Sequence, residues 1–183
     1  VIDQVIRVET PKGTAFYRYN HDGYGEMDDG RRWNWDGKYT GRGRLWVLLS
    51  GERGQYEIAA ANTPIRFSVT GTQPRDLFMA AARKRLDHML AFANEGLMIP
   101  EQVWDKKETP AGIDKQFIPE LKFGEGTGSA TPLAWSMAQF IRLATNLKVR
   151  RNLDTPQVVY ERYKNRTPGR AGKTRREGVL TGR

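Results

Sequence analysis

The chain has 183 residues, a net charge of +9 and a hydrophobic fraction of 38%, and it contains no cysteine. This length suits one domain with its own core, and the lack of cysteine excludes disulfides, thiolate metal sites and cysteine nucleophiles. His21 and His88 are the only histidines and are far apart in sequence, so we expect no catalytic metal and no cofactor. No apolar run resembles a signal peptide or reaches the length of a membrane span, and a cytoplasmic or a secreted localisation both stay open.

The positive charge is concentrated at the C-terminal end of the chain. Residues 164–183 hold seven basic residues and one acidic residue, so this segment carries +6 of the net +9. Its Gly-rich composition without apolar periodicity predicts a basic, disordered tail. The other residues carry only +3, which argues against a nucleic-acid-binding fold. A tail that binds polyanions weakly and a tail without a specific role stay open.

The first forty residues show short extended segments and turns instead of a helical period. Residues 5–9 alternate as a strand does, residues 11–13 predict a turn, and residues 15–19 predict a second extended segment. Three Asp-Gly turn dipeptides follow. The segment is rich in aromatic residues, namely Tyr17, Tyr19, Tyr24, Trp33, Trp35 and Tyr39. Aromatic rings beside carboxylates and an arginine suit a carbohydrate cleft, and a packed structural loop is the alternative.

The next long segment, residues 42–61, has apolar side chains at helical spacing but is interrupted by Gly51 and Gly54. Glycine costs roughly 1 kcal/mol in a helix interior. Either close packing therefore requires the two glycines or the helix is irregular. Residues 62–75 predict a connection because they are rich in Pro, Gly and Asn.

Pro74 begins a second predicted helix, which runs to about Asn94. Its apolar stripe has the 3–4 spacing of an amphipathic helix and consists of Phe78, Ala82, Leu86, Met89, Leu90 and Ala93. We expect His88 to be structural, and Gly96 suits the position just after the helix end.

A third helix is predicted from about Pro132 to Asn146, with Thr131 as N-cap. Its predicted buried face consists of Leu133, Ser136, Met137, Phe140, Ile141 and Ala144. Before this helix, residues 105–123 predict a loop, and the Gly-rich residues 124–129 predict a tight turn because they lack a complete nucleotide-binding motif. Residues 154–156 combine a cap with a proline and begin a last helix.

The stretch from Gly96 to Asp105 carries the functional hypothesis. Pro100 fixes its own φ and disfavours a helical Ile99, so Glu101 follows a helix exit on an ordered loop. An indole can stack on a sugar ring, an amide can bind hydroxyl groups, and a carboxylate can take a proton from water. The alternative is an ordinary surface loop in which Glu101 is solvated.

Four separate blocks give the chain its resemblance to a known family. They are RYNHDGYGE at residues 18–26, GRLWVLLSGERGQYE at 43–57, PEQVWD at 100–105 and GTGSATPLAW at 126–135. Together they resemble the C-terminal half of prokaryotic glucoamylases and glucodextranases, which form glycoside hydrolase family 15. The blocks follow the family's order, and the resemblance covers most of residues 1–163. Val47 stands where the family usually has a proline, which does not touch the chemistry.

The resemblance implies a fold and a domain organisation. The family folds as an (α/α)6 barrel of six helical hairpins, with the catalytic site on loops at one end. This mainly α chain would supply the last part of that barrel, with long aromatic-rich loops, as residues 1–163, and the tail 164–183 would follow. Because the chain begins at Val1, we interpret it as a fragment whose partner is the missing N-terminal part of the same catalytic domain.

The resemblance also implies an activity. The family releases terminal glucose from the non-reducing ends of α-glucans and malto-oligosaccharides with inversion, which requires two carboxyl groups roughly 6.5–9.5 Å apart. Glu101 matches the family's general base, whereas the motif of the general acid has no counterpart here. We therefore expect the fragment alone to be inactive. The preference for α-1,4 or α-1,6 linkages stays open.

Most of the expected substrate-binding residues come from the same resemblance, whereas Gln102 and Trp104 are expected from their positions beside Glu101. Arg18 matches an arginine that contacts sugar units near the scissile bond, and Trp46 and Trp135 match tryptophans of the cleft. The expected substrate-binding set is Arg18, Tyr24, Trp46, Gln102, Trp104 and Trp135.

Some alternatives stay open. Trp46 also suits core packing, and Asp22 suits either orienting Arg18 or capping the turn at Gly23. A rival from another functional class is a non-catalytic helical module whose basic tail binds nucleic acid or an acidic surface.

Overall fold

The computed structural model describes residues 1–38, 41–63, 74–108, 110 and 120–164. Most of the predicted connection at 62–75, part of the predicted loop at 105–123 and the tail after residue 164 lie outside the described residues. The chain divides into two compact units, Val1–Asn152 and Leu153–Arg183. Among the described helices, none combines the length and the apolar character that crossing a membrane requires.

The first unit contains a small antiparallel sheet that follows a short helix, α1 (Ile2–Val5). Strands β1 (Arg7–Thr10) and β2 (Gly13–Phe16) form a hairpin, which confirms the strand and turn predicted here. Strand β3 (Leu45–Trp46) pairs with β2, and β4 (Gln102–Val103) pairs with β3. The sheet order is therefore β1-β2-β3-β4.

Three helices pack on each other and on the sheet in the first unit. They are α2 (Leu48–Ala61), α3 (Pro74–Ala91) and α4 (Ala134–Val149). Their shared core contains the fully buried side chains of Leu45, Ile58, Ala82, Met89, Val103 and Leu143. The second unit contains α5 (Gln157–Lys164), which begins close to the cap and proline that predicted it.

Helix α2 begins later than predicted but is continuous through both glycines. Trp46 lies in β3, so the prediction that it belongs to the helix was wrong. A Cβ atom on Gly51 would lie 2.5 Å from Gln139 Cγ, and one on Gly54 would lie 2.8 Å from Leu143 Cδ1. Close packing against α4, not irregularity, therefore explains the glycines.

The end of α3 differs from its prediction. The helix stops at Ala91, and the residue with positive φ is Leu97, at 60°, instead of Gly96. The carboxamide oxygen of Asn94 accepts hydrogen bonds from the N–H groups of Gly96 and Met98, each at 3.0 Å. This side chain holds the turn that leads to Pro100, because it satisfies backbone donors that the helix no longer satisfies.

The core-facing side of α3 also differs slightly from the predicted stripe. Leu90 is 48% exposed, whereas Met79, which was left out of the stripe, is buried. His88 has the structural role expected of it, because its Nδ1 accepts a hydrogen bond from the Thr14 N–H at 3.0 Å.

Helix α4 begins two residues after the predicted start. Leu133 is its N-cap, and the Leu133 N–H donates to the Ile99 carbonyl oxygen at 3.0 Å, so Thr131 and Pro132 do not start the helix. The predicted buried face was partly wrong, because Ile141 is 63% exposed. The buried positions are Ser136, Gln139, Leu143, Asn146 and Leu147. Two of these polar side chains face α2. Gln139 packs against Gly51, and the Asn146 amide donates a hydrogen bond to Gln55 Oε1 at 2.8 Å.

Candidate active site

The sheet brings three of the sequence blocks together. In the register of the strands, Phe16 pairs with Trp46, and Trp46 pairs with Gln102. Arg18 follows β2 by two residues, and Glu101 precedes β4 by one. The very short strands β3 and β4 thus bring Arg18, Trp46 and Glu101 close to one another.

Glu101 contacts Ala130 through both its backbone and its side chain. The residue is largely buried, with 9% of its surface exposed. The Glu101 N–H donates to the Ala130 carbonyl oxygen at 2.9 Å, and the Ala130 N–H lies 3.4 Å from Glu101 Oε2. Burial raises the pKa of Tyr24, and the charge of the neighbouring Glu101 acts in the same direction, so the Tyr24 hydroxyl stays protonated beside this carboxylate.

The Gly-rich turn before α4 supports the Glu101 loop. The Gln102 N–H donates to Ser129 Oγ at 3.0 Å, and the Thr127 N–H donates to the Gln102 carbonyl oxygen at 3.1 Å. From the opposite side, Glu26 Oε1 accepts a hydrogen bond from the Gly128 N–H at 2.8 Å. The tight turn predicted at 124–129 therefore has a role: it fixes the backbone around the carboxylate.

Arg18 is the cation of the site. Its guanidinium lies 4.8 Å from the centroid of the Trp46 ring and 5.1 Å from that of Tyr24. Asp22 accepts two hydrogen bonds from it, each at 2.7 Å, and one from the Tyr24 N–H at 3.0 Å. Burial opposes the charge of Asp22, yet these hydrogen bonds hold its pKa below the usual range. Asp22 therefore both orients Arg18 and holds the turn at Gly23, the two roles that the sequence had left as alternatives.

Two residues of the predicted binding set are enclosed by protein. Gln102 is 1% exposed, and its amide donates to the Tyr24 carbonyl oxygen at 3.1 Å. Trp104 has no exposed surface; the Arg44 guanidinium lies 4.1 Å from its ring centroid, and its N–H donates to the Glu108 carbonyl oxygen at 3.3 Å. Both side chains thus contact other groups of the protein, and their expected part in substrate binding stays a prediction.

The remaining predicted aromatic residues differ in exposure. Trp46 is 5% exposed, since Arg18 and Tyr24 cover it, which agrees with the core-packing alternative. Trp135 is 60% exposed at the start of α4. The neighbouring Ser136 hydroxyl donates to the Pro100 carbonyl oxygen at 3.0 Å, so the backbone at Trp135 is anchored to the Glu101 loop.

The sequence interpretation gave Glu26 no role, and it grouped Trp33 with the other aromatic residues of the segment without linking it to Tyr24. Glu26 lies in the first sequence block, but only the folded chain shows that it meets the turn before α4. Trp33 lies 5.0 Å from the Tyr24 ring, centroid to centroid. Within the described ranges, no group of three or more acidic or imidazole side chains is arranged to hold a metal ion.

Comparisons with known proteins identify the family of the chain. Residues 1–145 match the family model described as glycosyl hydrolases family 15. The chain is 39% identical, over 163 residues, to a glucoamylase from Clostridium sp. (strain G0005). The crystal structure of a bacterial glucoamylase complexed with acarbose matches with a TM-score of 0.63 and 39% identity. Each match covers 89% of this chain but only 18% of the relative. Because the family match extends over most of the chain, the chain belongs to glycosyl hydrolases family 15.

Proposed function

We propose that this chain carries the catalytic base of a glucoamylase-like exo-hydrolase, which releases glucose from the non-reducing ends of α-glucans with inversion. The observation that carries the proposal is the strand register that sets Trp46 opposite Gln102, because it brings the Glu101 loop beside the cluster of Arg18, Tyr24 and Trp46. The names of the two relatives, a glucoamylase and a bacterial glucoamylase bound to acarbose, support the substrate class.

In this proposal Glu101 removes a proton from the attacking water. The Ala130 N–H lies 3.4 Å from Glu101 Oε2, and we propose that the neighbouring Tyr24 hydroxyl donates to the same carboxylate, so that rotation of the side chain is limited. A base held in one orientation acts on water without first losing conformational freedom.

Arg18 is proposed to bind sugar hydroxyl groups. A guanidinium has five N–H donors in a fixed plane, and Asp22 takes two of them. The remaining donors can bind adjacent hydroxyls, while the rings of Tyr24 and Trp46 keep the plane in place.

The proposal also includes the architecture of the complete enzyme. The three packed helices of the first unit are proposed to form the last part of an (α/α)6 barrel, and the covered share of 18% leaves most of the relatives' length outside this chain. The general acid, which inversion requires as a second carboxyl group, is proposed to belong to that other part. The rival function, a basic tail that binds nucleic acid, rests on residues 164–183 and gains no support from the described residues.

The test uses a chimera in which residues 1–163 replace the matching segment of the Clostridium glucoamylase. We expect Glu101→Gln to lower glucose release from maltotriose by about 100-fold or more, because removal of a general base costs that much. Binding of malto-oligosaccharides should be retained, and proton NMR should show β-glucose as the first product of the unsubstituted chimera.

Glu95→Gln is the matched control, since Glu95 is exposed on the same loop. It should leave glucose release unchanged. The proposal is wrong if Glu101→Gln keeps turnover within a few-fold of the unsubstituted chimera while circular dichroism shows both to be folded.

A further inference from the structure

Arg44 is a charged side chain with no exposed surface, and it lies directly before β3. The proposed chemistry of Glu101 and Arg18 does not use it. Its guanidinium joins two segments that are remote in sequence, because it donates to the Glu26 carbonyl oxygen and to a carboxylate oxygen of Asp105. A charge is costly to bury unless it is paired and hydrogen-bonded. The burial of Arg44 therefore depends on both acceptors.

The contact with Asp105 holds the end of the loop that carries Glu101. Asp105 follows Glu101 by four residues, and its side chain is largely buried. One of its carboxylate oxygens pairs with Arg44, and the other accepts a hydrogen bond from the Tyr17 hydroxyl at 2.7 Å. The Arg44 guanidinium also lies 4.1 Å from the centroid of the Trp104 ring, one residue before Asp105. These contacts fix where the Glu101 loop ends.

The contact with Glu26 reaches the same loop from the opposite side. The Glu26 carbonyl oxygen accepts the Arg44 Nε–H at 3.0 Å, while the Glu26 side chain accepts the Gly128 N–H through Oε1 at 2.8 Å. The two residues that follow Gly128 both form hydrogen bonds with the Glu101 loop. A chain of hydrogen bonds thus runs from Arg44 through Glu26 to the turn that supports Glu101.

The backbone passes close to Arg44 at Gly25. This residue has a φ of 137°, and a Cβ atom on it would lie 2.7 Å from Arg44 Cγ and 2.5 Å from the Arg42 carbonyl oxygen. Both the conformation and the space at this position therefore favour glycine. Gly25 leaves the room that Arg44 needs to reach its acceptors.

We propose that Arg44 is a positioning residue for the proposed base: it ties the end of the Glu101 loop to the Glu26 backbone and, through Glu26, to the turn before α4. The inference rests on the proposed function, because it takes Glu101 as the base. A guanidinium suits this role because its donors lie in one plane with fixed directions, whereas lysine has one ammonium group on a flexible stem. Arg44→Lys therefore keeps the charge but loses the plane of donors.

The first experiment measures backbone hydrogen exchange in the 183-residue chain by NMR. We expect Arg44→Lys and Asp105→Asn each to raise the exchange rates of the Glu101 and Gln102 N–H groups about tenfold, because hydrogen bonds to charged groups are among the stronger ones in proteins. The Thr14 N–H, which donates to a side chain of α3, should exchange at an unchanged rate and reports on the rest of the fold.

Asp76→Asn is the matched control for the loss of a carboxylate charge. Asp76 lies in the first turn of α3 and pairs with Arg150 at 3.4 Å, and both side chains are exposed. This substitution should leave all three exchange rates unchanged. The positioning role is overturned if Arg44→Lys and Asp105→Asn do not raise exchange in the Glu101 loop. It is also overturned if exchange at Thr14 rises by the same factor, because the loss of stability is then global.

The second experiment links the hold on the loop to turnover in the chimera. We expect Arg44→Lys to lower glucose release from maltotriose about tenfold. In the Glu101→Gln background the same substitution should change the residual turnover by less than about twofold, because a residue that only orients the base has no effect once the base is absent. An equal loss in both backgrounds overturns the positioning role. Circular dichroism checks folding, and Asp105→Asn serves for both experiments where Arg44→Lys does not fold.

The outcomes separate the positioning role from the proposed function. If Glu101→Gln alone keeps full turnover, the proposed function fails, and with it the claim that Arg44 serves a base. Faster exchange in Arg44→Lys would then still show that Arg44 holds the loop. If turnover depends on Glu101 but Arg44→Lys alters neither exchange nor turnover, only the positioning role fails.

Discussion

At the scale of single residues, Tyr24 joins the parts of the candidate site. Its ring contacts Arg18, Trp33 and Trp46, the charge of Glu101 helps to raise its pKa, and its hydroxyl is the proposed donor to that carboxylate. Substitution of Tyr24 can therefore separate the role of its hydroxyl from the role of its ring. Phenylalanine keeps the ring and removes only the hydroxyl.

We predict that Tyr24→Phe in the chimera lowers turnover of maltotriose by about 10-fold to 100-fold, because a hydrogen bond to a charged group contributes about 1.5–3 kcal/mol. The reason is that the Glu101 carboxylate loses a donor that orients it. Steady-state kinetics with separate kcat and KM values would check this. KM should change little, since the ring contacts remain.

Tyr56→Phe is the control for the loss of a tyrosine hydroxyl. Tyr56 also lies under an arginine, with the Arg53 guanidinium 4.5 Å from its ring centroid, but it is on the exposed side of α2. It should leave kcat and KM unchanged. Equal kcat values for Tyr24→Phe and the unsubstituted chimera would show that the hydroxyl does not orient the base.

The site residues were only partly predictable from the sequence. The sequence located Glu101, Arg18 and Tyr24 in one site because their blocks resemble a family, and the structure brings them together. It did not show that Trp104 is buried with its ring against Arg44, a residue sixty positions away in the chain. Neither spacing nor residue type indicates which face of a ring a distant guanidinium will cover.

At the scale of elements, the packing of α2 against α4 explains the glycines that made the helix prediction uncertain. Gly51 has Gln139 Cγ and Met89 Sδ at 2.5 Å and 2.8 Å from the place that a Cβ atom would occupy. The sequence showed the unfavourable residue for a helix, but only the fold shows the neighbours that require it.

We predict that Gly51→Ala lowers the free energy of unfolding of the 183-residue chain by about 1–3 kcal/mol, because the methyl group overpacks the contact with α4. Intrinsic helix propensity alone predicts the opposite sign, a gain of about 1 kcal/mol. Urea unfolding followed by circular dichroism distinguishes the two. Gly23→Ala is the control, since no atom lies within 4 Å of its added Cβ atom and its stability should hardly change.

The element boundaries show why pattern reasoning succeeded in some places and failed in others. The hairpin β1–β2 has enough alternation and a turn signal, and it was predicted. Strands β3 and β4 have two residues each, which is too short for any period to be read. Yet these two strands set the register that places Trp46 opposite Gln102, beside Glu101. The pairing of β3 with β4, which assembles the candidate site, therefore could not be predicted from the sequence pattern.

At the scale of the whole molecule, the sheet and the helices are tied together by His88. Its Nδ1 accepts the Thr14 N–H at 3.0 Å, and a Cβ atom on Gly13 would lie 2.5 Å from its Cγ. The hydrogen bond requires a neutral imidazole, since a protonated ring has no acceptor nitrogen. Burial is the main reason that the pKa of His88 is lowered, and the positive charges of Lys84 and Arg85 act in the same direction.

The sign of the pH dependence follows from this lowered pKa. In the unfolded chain His88 takes up a proton near pH 6.5, whereas in the folded chain it does so only at a lower pH. The unfolded state therefore binds more protons in this window, so the stability is fully present above about pH 6.5 and is lost as the pH falls through the folded pKa. Glu9 and Asp87 oppose the shift but do not reverse it.

We predict that the free energy of unfolding of the 183-residue chain falls between pH 7 and pH 5, and that His88→Asn makes this fall smaller. The Asn oxygen can accept the Thr14 N–H in place of Nδ1 but does not titrate, so only the proton-linked part of the stability is removed. His21→Asn is the matched control: His21 is exposed and has φ 60°, a conformation that Asn adopts readily. Urea unfolding at both pH values measures the effect. If His88→Asn and His21→Asn lose the same stability as the unsubstituted chain, carboxyl groups alone account for the fall and the imidazole does not couple the sheet to α3.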